Sequence, residues 1–270
     1  MLDNKTIGVI GTGNMGSALI EGLLRHDVSC RILCYDSDAA KLDSMQREHG
    51  LSCATDATGI ARGADVIIIA VKPDAVAPLL AGLRDALAGK VLVSIAAGVT
   101  MDAIEKVCAP SQQVVRVMPN TPALLGEGMS VLSPNRHATR ESLILVDQVF
   151  SCSGRTLTLP EKLMDAVTGL SGSGPAYVFT FIQALADGGV KMGIPRKEAL
   201  ILAAQTVAGA AEMVLESTED PITLRGRVTS PGGTTIEGVH VLERSGFSGI
   251  VMDAVEAATV KAAKLGGNKA

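Results

Sequence analysis

Three glycine-rich segments carry the residue types and spacings best suited to chemistry on a bound ligand. The first, Gly11-Thr12-Gly13-Asn14-Met15-Gly16, has the form GxGxxG, with the apolar run TIGVI before it and the helix-like run MGSALIEGLL after it. In that context Gly11 permits a tight turn, Gly13 lets a pyrophosphate approach the backbone, and Gly16 lets a helix pack on a strand. The helix start adds free N–H groups and a partial positive charge. The next apolar run ends at Tyr35-Asp36, with Asp36 lying 20 residues after Gly16, where an acid that reads ribose hydroxyls belongs. The segment predicts a dinucleotide site. Asp36 accepts hydrogen bonds from a 2′-hydroxyl and repels a 2′-phosphate. Its neighbours Ser37 and Asp38 bring no arginine, and Lys41 is the nearest cation. These residues favour NADH over NADPH.

The other two segments lie in the second half. Gly169-Leu170-Ser171-Gly172-Ser173-Gly174-Pro175-Ala176-Tyr177 opens one predicted helix, and Val228-Thr229-Ser230-Pro231-Gly232-Gly233-Thr234-Thr235 opens another. Each places hydroxyls and unpaired N–H groups at a helix start, which suits a carboxylate. Taken alone, either is equally well a capped helix start.

The elements that must position these segments follow from hydrophobic pattern. Short Val- and Ile-rich runs at 5–10, 31–35, 65–71, 91–95, 114–118 and 129–132 alternate with helical stretches at 15–25, 39–48, 73–87, 101–107 and 139–150. Unalternated apolar strands separated by helices predict a mostly parallel sheet buried on both faces, an α/β Rossmann-type domain over 1–159. Beyond Pro160 the strand pattern stops, and helical runs at 162–168, 175–192, 196–216, 234–245 and 248–264 predict an all-α domain over 160–270. Residues 199–211 are apolar or small nearly all the way round, so that helix needs cover on every side. Dimerisation through this half would supply it.

Composition narrows the class. With 47% apolar and 19% charged residues, the chain is too apolar for disorder. No Trp, two Tyr, four Phe and a net charge of −4 argue against a nucleic-acid reader, which needs stacking platforms and a basic face. The five cysteines, Cys30, Cys34, Cys53, Cys108 and Cys152, form no CxxC pair and no metal spacing, and read as reduced thiols of a cytoplasmic protein. Residues 166–186 are uncharged over a length that would span a membrane, but GSGP interrupts them, so a buried helix rather than a membrane segment is expected. His26, His49 and His137 lie among polar residues. His240 falls five positions after Thr235, off its helix face.

In chain order, GTGNMG (11–16), AVKP (70–73), SIAAGVT (94–100), RVMPNTPA (116–123), GLSGSGPAYVF (169–179) and VTSPGGTTIEGVHVLERSGF (228–247) resemble the pyrroline-5-carboxylate reductases, the last two motifs being the most specific. The resemblance implies reduction of 1-pyrroline-5-carboxylate, a cyclic imine carboxylate, to L-proline by NADPH or NADH. It implies that Gly11 to Gly16 hold the pyrophosphate. Ala70, Val71, Lys72 and Pro73, with Ile95, Ala96 and Ala97, would line the ribose and nicotinamide, and Asn120 would sit where cofactor meets substrate. Ser173 and Gly174 belong to the substrate segments, and Ser230, Gly233, Thr234 and Thr235 would receive the carboxylate and ring nitrogen. Thr235 is the candidate catalytic residue. The family often forms rings of dimers, which makes a decamer one expected assembly. Asp36 departs from the uncharged or basic residue common near that position, and argues that NADH is accepted.

Two other readings compete. The β-hydroxyacid and 6-phosphogluconate-type dehydrogenases use a lysine, with an asparagine four residues later, on the helix after a Gly-rich turn. After Gly172-Ser173-Gly174 this chain runs Pro-Ala-Tyr-Val-Phe-Thr-Phe, with neither. Alcohol oxidation needs such a base. A non-catalytic dinucleotide-sensing protein would leave SPGGTT without a purpose.

Overall fold

The computed structural model describes residues 2–26 and 28–267. Eight strands form one sheet: β1 (Thr6–Ile10), β2 (Arg31–Tyr35), β3 (Ser52–Cys53), β4 (Val66–Ile69), β5 (Val91–Ser94), β6 (Gln113–Met118), β7 (Gly128–Pro134) and β8 (Gly154–Thr158). Their order is β3-β2-β1-β4-β5-β6-β7-β8. All pairings are parallel except β6 with β7. The order reverses between β1 and β4, so the carboxyl ends of β1, β2 and β4 open onto a crevice beside the glycine turn.

Helices α1 (Asn14–Arg25), α2 (Ala39–His49), α3 (Ala57–Gly63), α4 (Pro73–Leu83), α5 (Met101–Val107) and α6 (Arg140–Ser151) follow strands in turn. Because successive strand residues face opposite sides, the run Val66-Ile67-Ile68-Ile69 feeds two cores. Ile67 and Ile69 pack with Ile60, Leu80, Leu83 and Ile104 from α3, α4 and α5. Val66 and Ile68 pack with Leu19, Leu23, Val146 and Phe150 from α1 and α6. Two apolar faces on one short strand are what its unbroken β-branched sequence provides.

The remaining helices are α7 (Met164–Val167), α8 (Gly174–Lys191), α9 (Arg196–Glu216), α10 (Pro221–Arg227), α11 (Thr234–Arg244) and α12 (Phe247–Leu265). The sequence reading divides the chain at 159/160, where the strand pattern stops. By contacts, the two compact units are Met1–Ser173 with Glu256–Ala270, and Gly174–Val255. Residues 161–173 join the first because Met164 and Val167 pack with Val131, Met118 and Met129 on the sheet side. Strands β3 and β8 and helices α3 and α10 are absent from the sequence reading. β8 is an edge strand, GRTLT, with little apolar signal and mostly exposed side chains.

The second unit buries little of itself. Among the described residues of Gly174–Val255, only Ala186, Ala199, Ala203 and Leu224 are buried. Small residues let α8 and α9 approach closely, leaving Leu200, Ile201 (59% exposed) and Leu202 on the surface. Helix α9 is long and apolar enough to cross a bilayer by length and composition alone.

Candidate functional site

At the end of β1 the chain turns through Gly11, whose φ of +101° excludes most side chains. A Cβ there would lie 2.5 Å from the Ala70 carbonyl oxygen, and one on Gly16 would overlap the Gly11 carbonyl oxygen. Both glycines are thus needed to seat α1 against the sheet. Gly13 differs. Its backbone is extended and nothing lies within 4 Å of the position a Cβ would take. Gly13 caps α1 without a side-chain hydrogen bond, and the first turn carries no acidic residue. The N–H groups and positive end of the helix therefore face open space, a setting that fits a pyrophosphate.

Asp36, at the end of β2, closes one side. Its Oδ2 accepts hydrogen bonds from the Thr12 N–H (2.8 Å) and Thr12 Oγ1 (3.2 Å), and its Oδ1 accepts one from the Asp38 N–H (3.0 Å). Lys41 Nζ stands 3.6 Å away, and the Asp36 side chain is only 9% exposed. Partial burial pushes this carboxyl up, but the N–H groups of Asp38 and Thr12, with Lys41, outweigh it and hold the group below the ordinary carboxylate range. The charge is fixed in place.

These residues border an open cleft of about 720 Å³, lined by Gly11, Gly13, Asp36, Ser37, Ala70, Val71 and Lys72 among others. Ala57, Ala75 and Leu79 form part of its apolar wall, and Lys41 also lines it. Ala57, Ala75 and Leu79 are small or aliphatic positions on α3 and α4 that no sequence motif marks. Thr12, Asn14, Met15, Gly16, Pro73, Ile95, Ala96, Ala97 and Asn120 are not among its lining residues. Thr12 is buried beneath the turn, Lys72 and Pro73 open α4, and Ala96 lies in the core beyond β5.

In the first unit, the chain from α7 passes into a π-helical turn, Thr168–Gly172, closed by the Ser173 N–H donating to the Thr168 carbonyl (2.8 Å). Asn120 joins this turn. Its Nδ2 donates to the Ser171 carbonyl (3.0 Å) and its Oδ1 accepts from the Met129 N–H (2.8 Å). Ser173 ends this unit, and Gly174 begins the next.

In the second unit, Ser230 to Thr235 form a tight turn into α11. Gly232 has φ of +67°, the Gly233 N–H donates to the Ser230 carbonyl (3.0 Å), and a Cβ on Gly233 would overlap Ser230 Oγ. Gly233 caps α11 without a side-chain hydrogen bond, and Thr234 and Thr235 stand exposed on the first turn. Hydroxyls and uncapped N–H groups are gathered at one helix start, a combination that binds anions. His240 is exposed on the same helix.

Matches to known families part near residue 160 rather than at the contact boundary of Ser173 and Gly174. Residues 161–265 match the family described as pyrroline-5-carboxylate reductase dimerisation, and residues 6–98 match one described as coenzyme F420-dependent NADP oxidoreductase. A pyrroline-5-carboxylate reductase of Methanosarcina acetivorans is 43% identical over 268 residues, spanning 98% of this chain and 99% of the relative. One from Pisum sativum is 42% identical over 266 residues, spanning 97% of each. The solved pyrroline-5-carboxylate reductase of Coxiella burnetii superposes with a TM-score of 0.94 at 32% identity, covering 99% of this chain and 100% of that one. The Plasmodium falciparum pyrroline carboxylate reductase, solved with NADP bound, superposes with a TM-score of 0.87 at 34% identity, covering 98% and 100%. With glycine turn, sheet order and SPGGTT helix start all lying inside these full-length matches, the chain belongs to the pyrroline-5-carboxylate reductase family.

Proposed function

We propose that this chain reduces 1-pyrroline-5-carboxylate to L-proline: the imine, a reduced nicotinamide dinucleotide and a proton give proline and the oxidised dinucleotide. The observation that carries the reading is the match to reductases of that name along essentially the whole chain. Gly11 to Gly16 would hold the pyrophosphate, with the uncapped start of α1 supplying N–H donors. Ala57, Ala75 and Leu79 suit an adenine ring, and Ala70 to Pro73, with Ile95 to Ala97, would border the ribose and nicotinamide. When bound, the dihydronicotinamide supplies the hydride. Ser173, Gly174, Ser230, Gly233 and Thr234 would receive the substrate carboxylate.

A cyclic imine protonates before it is attacked, so the protein must orient and stabilise it rather than supply a strong base. The Ser- and Thr-rich segments, with no His, Lys, Asp or Glu inside SGSGPAY or SPGGTT, fit that demand. Thr235 Oγ1 is assigned to the ring nitrogen as its hydrogen-bond partner. Thr235→Ala should lower turnover by about 10²-fold, the scale of one oriented polar group in a transition state, with dinucleotide affinity unchanged. Undiminished turnover would remove Thr235 from the mechanism.

The pinned Asp36 carboxylate supports acceptance of NADH and a penalty on the 2′-phosphate of NADPH, with Lys41 softening that penalty. The exposed aliphatic faces of α8 and α9 support self-association through 161–265 as a dimer, with rings of dimers as the larger assembly. Reduced thiols, including Cys34 and Cys108 pushed by burial to about 12 and about 11, suit the cytoplasm.

A further inference from the structure

Residues 116, 118 and 120 lie on one face of the extended run that leaves β6, because strand side chains alternate with a period of two. All three reach the segment 161–173. Arg116, with its side chain only 4% exposed, donates from Nη1 to Glu161 Oε1 (2.7 Å), and the same oxygen accepts from the Met101 N–H (2.9 Å). Met118 Cε lies 2.6 Å from where a Cβ on Gly172 would sit, so the turn rests directly on this side chain. Asn120 holds the Ser171 carbonyl and is itself held by the Met129 N–H. Single π-turns inside helical segments occur often at functional sites, where they displace one residue from the regular ladder.

We infer that Asn120 is a positioning residue for the substrate loop, and that Arg116, Met118 and Asn120 together fix where Ser173 lies. This deepens the function proposed above and rests on it. Both ends of the Asn120 amide are engaged by main-chain atoms of β7 and the π-turn, so the side chain acts on substrate through Ser171 to Ser173 rather than by touching the dinucleotide. Its Oδ1 bond to Met129 sets which end of the amide faces the turn, and so makes Nδ2 the donor to Ser171.

The test compares wild type with Asn120→Asp, which keeps the acceptor for Met129 but loses the donor to Ser171, and with Asn120→Ala, which loses both. Each is assayed for imine KM and kcat, and for NADH Kd by fluorescence titration. A positioning role predicts that both variants raise imine KM about tenfold, the scale of one lost hydrogen bond, with kcat changed less than about threefold and NADH Kd unchanged. A raised NADH Kd at wild-type imine KM would overturn the inference by making Asn120 a dinucleotide contact. Fewer active molecules at unchanged KM would overturn it by making the role merely structural, as would wild-type kinetics. If the wild-type protein does not reduce the imine, the proposed function fails, and hydrogen exchange reads the tether alone. Faster exchange of the Ser173 amide in Asn120→Ala supports the tether, and unchanged exchange in that variant overturns it.

Discussion

In the glycine turn, a methyl group meets protein at one position and open space at another, and alanine substitution separates the two. At Gly13 the backbone has φ −71° and ψ −175°, which any residue adopts, and no atom lies within 4 Å of an added Cβ. Replacing Gly by Ala at a compatible backbone gains about 0.4–1 kcal/mol through the unfolded chain. Loss of a favourable helix cap costs about as much. Gly13→Ala should therefore melt within about 2 °C of wild type. If the open space receives a pyrophosphate, the methyl displaces it from the first-turn N–H groups. Loss of one charge-assisted hydrogen bond, about 1.5–3 kcal/mol, raises the dinucleotide Kd by about 10- to 150-fold. Gly16→Ala behaves in the opposite way. Its Cβ overlaps the Gly11 carbonyl oxygen and touches Ala70 Cβ at 3.4 Å, so α1 must shift. Overpacking of about 1–3 kcal/mol lowers Tm by about 5 °C in a chain of this size. Thermal melts without ligand and NADH titration by fluorescence check both arms. Wild-type NADH affinity in Gly13→Ala would show that no pyrophosphate occupies the open space, and a melt depressed as far as that of Gly16→Ala would show that the space is not open.

Asp36→Ser removes the fixed charge beside the proposed ribose site and should raise the ratio of kcat/KM for NADPH over NADH about tenfold or more; an unchanged ratio in steady-state assays would contradict it. Because Asp36 ionises below its ordinary value, its charged form, and the stability its hydrogen bonds provide, persist above the unfolded value of about 3.9 and fade as pH falls through the folded one. NADH affinity should therefore stay flat from about pH 8 to pH 5, and a loss between pH 6 and 7 would point to another group. Ile201→Glu places a charge on the exposed apolar face of α9 and should convert the assembly to smaller species by light scattering, with the dinucleotide site intact.

Much of the first unit was legible because its signals are local. Buried parallel strands read as unbroken Val and Ile runs, and the glycine turn carries its own spacing. β8 was not, because an exposed edge strand of Gly, Arg, Thr and Leu has no apolar signature. Helix α10 is a single short element capped by Asp220, too brief for periodicity to register. The candidate site residues divide in the same way. Gly11, Gly13 and Asp36 could be read from the sequence, whereas the anchoring of Asp36 by the Thr12 and Asp38 main chain could not. The Asn120 tether was equally hidden, since its partners are a carbonyl and an N–H lying 51 and 9 residues away, and main-chain atoms leave no mark on residue type. The apolar circumference of α9 predicts cover on every side, whereas Leu200, Ile201 and Leu202 lie on the surface of the single chain, where only a second copy could cover them.

The most direct test mixes the purified chain with 1-pyrroline-5-carboxylate and either NADH or NADPH, and follows the nicotinamide absorbance while proline is measured. Reductase activity predicts imine-dependent oxidation of the dinucleotide, matched mole for mole by proline, and no dinucleotide consumption when a hydroxy acid replaces the imine. Absence of oxidation with both dinucleotides at saturating imine would contradict it.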